Sequence, residues 1–430
     1  MTPKILASAR QGLMLPALVL LPLFALMPAA AAEDAPLGGD LTALVDYATA
    51  RHPELAGRHF EAEAAQARVE PAGALPDPRF QLELMDATNT LSGRGASLVP
   101  GEVGTTRYRV IQAIPFPGKR DLRSAVASAQ AGQVEAQQLA TRVELVARLK
   151  TAFARHYQAA GQRQILDGTL SLLGALEPIV LMRYGVGLVP QQDAIRVQSE
   201  ITNLRVELLE AERRQRDAAA RLNASLPRPA DAPLAVPAAL PAVPERLMLS
   251  DLRTRMADNS PEVARLRRGV DAAAHARALT YKERYPDFAL ALTNNRPRSG
   301  TDSWDVMFEL NIPLQQSARR AREREAEHMA DAADARVDAA LAALEGRIGE
   351  AWAGFESSRD KARLLRSTLL PQAEAAYQAA EAGYETGRVN FNTLIEAERL
   401  ILRTRLALLD AEVERFIRVV DIEQLTGAPL

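Results

Sequence analysis

Side chains able to do chemistry are few in this chain and poorly spaced for it. The five histidines, His52, His59, His156, His275 and His328, are the best candidates for proton transfer or metal ligation, but they show no metal-ligand spacing. His52 and His59 read as decoration of a helix surface. Gly185-Val186-Gly187 could be taken for a phosphate loop, and Gly118-Lys119-Arg120 for the end of one, but neither has the rest of a nucleotide-binding motif. Asp331, Asp334 and Asp338 fall on one exposed helix stripe, and no nucleophile stands beside a base in a recognisable signature. The sequence therefore offers no catalytic, cofactor-binding or metal residue, and an enzyme is not expected.

Composition narrows the class further. The 430 residues contain no cysteine, which excludes disulfides, thiolate metal sites and a lipid-modified N-terminal cysteine. A formal charge of −2 argues against a nucleic-acid partner. Aromatic residues make up only 5 %, and Ala, Leu, Glu, Arg and Gln dominate, as in long helices and coiled coils. Residues 1–32 carry Lys4 and Arg10, then an apolar run from Gly12 to Met27, then four alanines, the order of a secretory signal peptide. No other segment approaches a continuous apolar span, so a membrane could be entered only by strands.

The elements that must position any site follow from periodicity. Leu41 to about Val69 reads as a helix interrupted at His52-Pro53. Phe80, Leu82 and Leu84 then alternate with Gln81 and Glu83, and after a polar loop Tyr108, Val110 and Ile114 alternate with Arg107 and Arg109, giving a hairpin at about 79–115. A helix from about Arg120 to Tyr184, broken only near Pro178, would approach ~100 Å, too long for an ordinary globular domain. Its returning partner, Gln191 to Leu226, carries the coiled-coil seam Val197, Ile201, Leu204, Leu208 and Ala211.

The unit then recurs. Pro53-Glu54-Leu55 is matched by Pro261-Glu262-Val263, and Phe80, Leu82, Leu84 by Phe288, Leu290, Leu292. Near the C-terminus Tyr384-Glu385-Thr386-Gly387-Arg388 repeats Tyr184-Gly185-Val186-Gly187-Leu188, and the match continues through Ile195 with Ile395 and Arg205 with Arg405. Gly187 and Gly387 stand where a helix end needs a left-handed residue, followed by the capping candidates Gln191, Asn390 and Asn392. The organisation expected is a leader at 1–32, a first repeat at 33–226, an Ala/Pro-rich linker at 227–247, and a second repeat at 248–430 with its hairpin at about 287–313. The last helix, with Leu402, Leu406, Leu409, Val413, Phe416 and Val420 beside Ile401 and Leu408, has two apolar seams and so two neighbours.

Four strands of ~9 residues have the length and two-faced period of membrane-barrel strands, but four cannot close, and an open sheet in a bilayer leaves backbone groups unpaired. Several chains would have to share one barrel. Lys119, Arg120 and Arg123 after the first hairpin, and Arg319, Arg320, Arg322 and Arg324 after the second, oppose the helix dipole and call for anionic partners, either headgroups or Glu323, Glu325 and Glu327. Soluble hairpins packed on helices remain the other reading of the strands.

Over essentially the whole mature chain, this signal peptide, duplicated helix–hairpin–helix unit and pair of turns resemble the TolC family of outer-membrane efflux proteins. The resemblance is most specific at Val186-Gly187-Leu188 with Asp193 and at Tyr384-Glu385-Thr386-Gly387. Its Ile114-Pro115-Phe116-Pro117-Gly118-Lys119-Arg120 is similar to the heavy-metal-cation branch. The resemblance implies a mainly α fold with a small β part: long antiparallel coiled-coil helices forming a periplasmic α-barrel, and four transmembrane strands per chain in a 12-stranded β-barrel shared by a homotrimer. It implies an outer-membrane location with a long periplasmic extension, contact with outer-membrane lipid, and no cofactor. The partners implied are a periplasmic membrane-fusion adaptor and an inner-membrane efflux pump, with the chain as passive exit duct. It also places a periplasmic gate at Asp193, Tyr384, Arg388 and Glu396, although the family's basic gate position falls on Val389 and one acidic position on Thr393. Docking tips are implied at Val186, Gly187, Leu188, Gly387 and Val389. Pairing of Arg388 with Asp193, of the same or a neighbouring chain, is the expected closure. The alternative class is a soluble periplasmic coiled-coil adaptor, which would carry one helical hairpin rather than two.

Overall fold

The computed structural model describes residues 37–430 except 91, 92 and 94, so the expected leader at 1–32 lies outside the described residues. The chain starts with α1 (Leu41–Arg51), whose first N–H groups are capped by the Asp40 carboxylate through Thr42 and Ala43. Pro53 begins α2 (Pro53–Ala67) and Pro261 begins α7 (Pro261–Lys282), each at a first-turn position where the missing N–H costs nothing. Short α3 (Val69–Gly73) precedes the first strands, and α6 (Leu249–Asn259) precedes α7.

Strands β1 (Arg79–Met85), β2 (Thr105–Ile114), β3 (Asp287–Pro297) and β4 (Ser303–Asn311) form one antiparallel sheet in the order β1-β2-β3-β4. Alternation and register agree across all four. Phe80 faces Val110, Val110 faces Leu292, and Leu292 faces Val306, so one apolar row crosses the sheet. One step along, Gln81, Arg109, Thr293 and Asp305 make a polar row on the opposite face, with Arg109 Nε donating to Thr293 Oγ1 at 3.1 Å. The apolar face is bare: Phe80 is 65 % exposed, Phe308 66 % and Val306 74 %. β1 and β4 each pair on one side only. The two expected hairpins are thus joined into a single sheet by β2 and β3.

From the sheet, α4 (Lys119–Gly185) runs 67 residues and returns as α5 (Gln191–Ser225). The second half sends out α8 (Gln316–Leu364) and α9 (Leu370–Glu385) and returns as α10 (Phe391–Thr426). At the far end Leu173 and Val180 of α4, Val197 and Ile201 of α5, Tyr377 and Tyr384 of α9, and Leu394 and Ile395 of α10 share one core. Nearer the sheet, α10 has two packed faces. Val413, Phe416 and Val420 meet Leu149 and Phe153 of α4, while Val419, Ile422 and Leu425 meet Ile348 and Phe355 of α8. The Ala/Pro-rich linker is laid against these helices, its Leu234, Leu240 and Val243 packing on the core and its Ala235 N–H donating to Leu37 O at 2.9 Å.

Several expectations are corrected. α4 is unbroken at Pro178, which leaves the carbonyl of Gly174, four residues before it, without an amide donor from that position. The interruption falls instead in the second half, where Leu365–Leu369 widen into a π-helical turn just before Pro371, which cannot donate to the residue four before it. By length and composition α4 does contain a stretch apolar enough to cross a membrane. Its Leu166, Leu173, Leu176 and Val180 are buried in the core shared with α5, α9 and α10, while Leu172, Ile179, Leu181 and Met182 on the same stretch are exposed. Lys119 needs no lipid headgroup: it is 3 % exposed and donates to Asp287 Oδ1 and Tyr285 O, each at 2.8 Å. Arg120 donates to Gly73 O at 2.8 Å. Arg319 lies 3.6 Å from Glu323, the protein partner that was the other reading.

Candidate functional site

The two turns farthest from the sheet have one backbone design. At the first, Gly187 (φ +74°) lets its own N–H reach Tyr184 O at 2.9 Å and the Leu188 N–H reach Arg183 O at 2.9 Å. At the second, Gly387 (φ +72°) repeats both bonds, to Tyr384 O at 3.1 Å and from Arg388 N to Gly383 O at 2.8 Å. Both bonds satisfy carbonyls that a helix end leaves without partners. The caps that restart the chain differ. Asn390 Oδ1 accepts from Thr393 N at 3.0 Å, whereas α5 starts from Pro190 with no side-chain cap, so Gln191 does not fill that role.

Of the expected docking residues, Val186 and Leu188 are 67 % and 68 % exposed and Gly187 and Gly387 are exposed with them. Val389 is turned inward. Its N–H donates to Gly383 O at 3.2 Å, and a Cβ on Gly383 would sit 2.4 Å from Val389 Cγ2, so only glycine admits that approach.

Of the expected gate residues, Asp193 and Tyr384 are brought together. Tyr384 is 6 % exposed and packs against Phe391 at 5.4 Å between ring centres. Burial raises its pKa, with the nearby Asp193 charge adding to the shift and Arg183 opposing it. Burial also raises the Asp193 carboxyl, against the pull of Arg196. The Tyr384 hydroxyl is buried without a hydrogen-bond partner among the described residues. Arg388 and Glu396 are exposed. Glu396 lines a shallow groove between α5 and α10 with Asn203, Glu207 and Arg403. Arg388 makes no ion pair with Asp193 within the chain: it is exposed just after the turn glycine, while Asp193 lies half-buried in the first turn of α5.

The basic residue that does reach across is Arg183. Its two terminal nitrogens donate to Tyr384 O at 3.0 Å and Glu385 O at 3.3 Å, and its guanidinium lies 4.9 Å from the centre of the Tyr384 ring. A second ionic group that sequence reasoning missed lies along the same helices. Glu200 and Glu398 are 8 % and 3 % exposed. Arg399 Nε donates to Glu200 Oε1 at 2.7 Å, with a second bond to the other carboxylate oxygen. Burial is the main cause that lifts Glu398 to about 7; the Thr169 hydroxyl opposes it and Glu200 reinforces it. Among the described residues no cluster of His, Asp and Glu could hold a metal ion. The arrangement has a wall and turns rather than a pocket for chemistry.

The sequence model of the family described as outer membrane efflux protein matches residues 44–227 and 252–428. The chain belongs to the outer membrane efflux protein family. Both halves fall within the match, which does not favour the single-hairpin adaptor alternative. This outer membrane efflux protein is therefore a passive channel of the outer membrane with a periplasmic extension, and not an enzyme. It is 24 % identical over 398 residues, 90 % of each chain, to the cobalt-zinc-cadmium resistance protein CzcC of Cupriavidus metallidurans. Two solved structures share its fold. The outer-membrane channel OprN has a TM-score of 0.78 at 19 % identity, over 90 % of each chain. VceC of Vibrio cholerae has a TM-score of 0.76 at 17 % identity, over 90 % of this chain and 96 % of that one.

Proposed function

We propose that three copies of this chain form the exit duct of a tripartite efflux system, docking by their helical turns on a periplasmic membrane-fusion adaptor that is served by an inner-membrane pump. The observation that carries this is the sheet: four strands with an unpaired edge at β1 and another at β4, and an apolar row bare on one face. In a bilayer such a sheet is tolerable only when further copies pair with both edges and lipid covers the apolar face. In this reading the repeats at 33–226 and 248–430, joined by 227–247, each give one hairpin to the barrel and one helical hairpin to the tunnel wall. Extraction from outer membranes as a detergent-resistant trimer, dissociated only by heating, is the expected result. A soluble monomer in the periplasm would overturn it.

Val186, Gly187, Leu188 and Gly387 are proposed as the docking surface, with Val389 shaping the second turn from within. Asp193, Tyr384, Arg388 and Glu396 are proposed as the constriction, the exposed Arg388 pairing with a neighbouring protomer and Glu396 facing the lumen. Divalent heavy-metal cations are the proposed cargo, supported by the likeness to the cobalt-zinc-cadmium resistance protein. Glu396→Gln should then lower cation selectivity in planar bilayers, and deletion of the chain should lower tolerance to cobalt, zinc or cadmium. Unchanged tolerance to all three would remove the cargo reading and leave the duct.

A further inference from the structure

Arg183 and Gly383 occupy the same place in the two turns: each supplies the carbonyl that accepts from the residue after the turn glycine. Only the first carries a side chain, and that side chain leaves its own turn. It spans to the C-terminal end of α9, where Tyr384 O and Glu385 O, two successive carbonyls of the last helical turn, accept from its two terminal nitrogens. A guanidinium is suited to this, because it presents paired donors in one plane and remains charged. Its cation also sits at the negative end of the α9 dipole and over the face of the Tyr384 ring. Arg183 is half-buried, and Tyr384 beneath it belongs to the core shared by all four helices.

We propose that Arg183 is the positioning residue that sets the resting aperture of the duct, clasping the second helical hairpin to the first within each chain. Widening at the turns requires α9 and α10 to move away from α4 and α5, and this clasp must break for them to do so. No reciprocal clasp exists, since Gly383 has nothing to reach back with. The proposal rests on the reading of these turns as the constricted end of the channel.

The test uses the full-length trimer in planar bilayers. The chain has no cysteine, so Arg183→Cys introduces a single thiol. This variant should migrate as an intact trimer and show an open probability about fivefold above wild type, the shift expected for roughly 1 kcal/mol of lost restraint. Modification with aminoethyl methanethiosulfonate, which restores a cation of similar reach, should return the channel towards wild type; the uncharged methyl reagent should not. Restoration by both reagents would mean that bulk rather than donated charge matters, and would overturn the proposal. Should Arg183→Cys fail to assemble, Arg183→Lys serves in its place: an intermediate open probability supports the clasp, and wild-type behaviour overturns it. Tyr384→Ala separates the two readings. If it opens the channel while Arg183→Cys does not, the clasp falls and the constriction stands; if neither variant opens it, both fall.

Discussion

The turns at Gly187 and Gly387 are alike in backbone and differ in several of the side chains they carry or bury. Tyr184 is 42 % exposed, whereas its counterpart Tyr384 is 6 % exposed. Val186 and Leu188 present apolar surface where the second turn has Thr386 and Arg388. Arg183 reaches out where Gly383 lets Val389 fold in. The hydrogen bonds that make a helix reverse are thus common to both turns while the side chains differ, one turn leaving apolar surface exposed and the other packing within the chain.

Four tests break or sharpen this contrast, and the largest effect is expected at the apolar surface. Val186→Asp or Leu188→Asp should abolish efflux with the trimer intact, because a charge would be left unpaired in an apolar contact, whereas Thr386→Asp should leave efflux near normal. Survival tests under metal or drug challenge, with adaptor cross-linking, would show it; equal loss at both turns would mean that the two dock alike. Next, Tyr384→Ala should cost about 3–5 kcal/mol of stability and Tyr184→Ala under about 0.5, read from denaturant unfolding of the two variants.

The third test concerns Glu398, whose first-half counterpart is Gln198. A carboxyl raised from 4.5 to about 7 on folding contributes stability that is complete below its unfolded pKa and is lost as pH rises through about 7. Wild-type Tm should fall between pH 5 and pH 8. Glu398→Gln should flatten that slope and exceed wild type at pH 8 by up to about 3 kcal/mol. A slope that persists in the variant would assign the titration to another group. The smallest effect is a test of sameness: Gly187→Ala and Gly387→Ala should each cost about 1–2 kcal/mol, by the same amount, because φ is +74° and +72°. Unequal losses would show that one turn is held by more than its own backbone.

What could be read in the sequence was whatever repeats at short range. The strand rows, the coiled-coil seams and both left-handed glycines follow from spacing along a single element, and they stand where the spacing put them. The Arg183 clasp depends on how two hairpins pack, and no local period records that. A signal did exist, since the aligned turns set Arg183 against Gly383, a long cation against no side chain. The partner of Lys119 is hidden from the sequence for a related reason. Lys119 carries a first-turn charge whose carboxylate, Asp287, is far along the chain, so local rules left lipid as a partner. The π-helical turn escaped because a proline within a helix signals trouble without saying on which side it is relieved, and Pro178 and Pro371 resolve it differently.

The centre of the sheet has a bearing on how the molecule comes into being. β2 and β3 are hydrogen-bonded neighbours, and the Lys119 to Asp287 contact at their base spans 168 residues. Pairing over such a separation closes a long loop before any ladder bond is returned, so it is slow compared with forming either hairpin or the helices between them. As the chain is exported from its N-terminus, the first hairpin emerges with its apolar row uncovered and must wait until α4, α5 and the linker have followed before its partner strand exists. During that interval the edge of β2 is open to any other extended chain, and a periplasmic holding factor that shields one hairpin at a time is the kind of help this topology calls for.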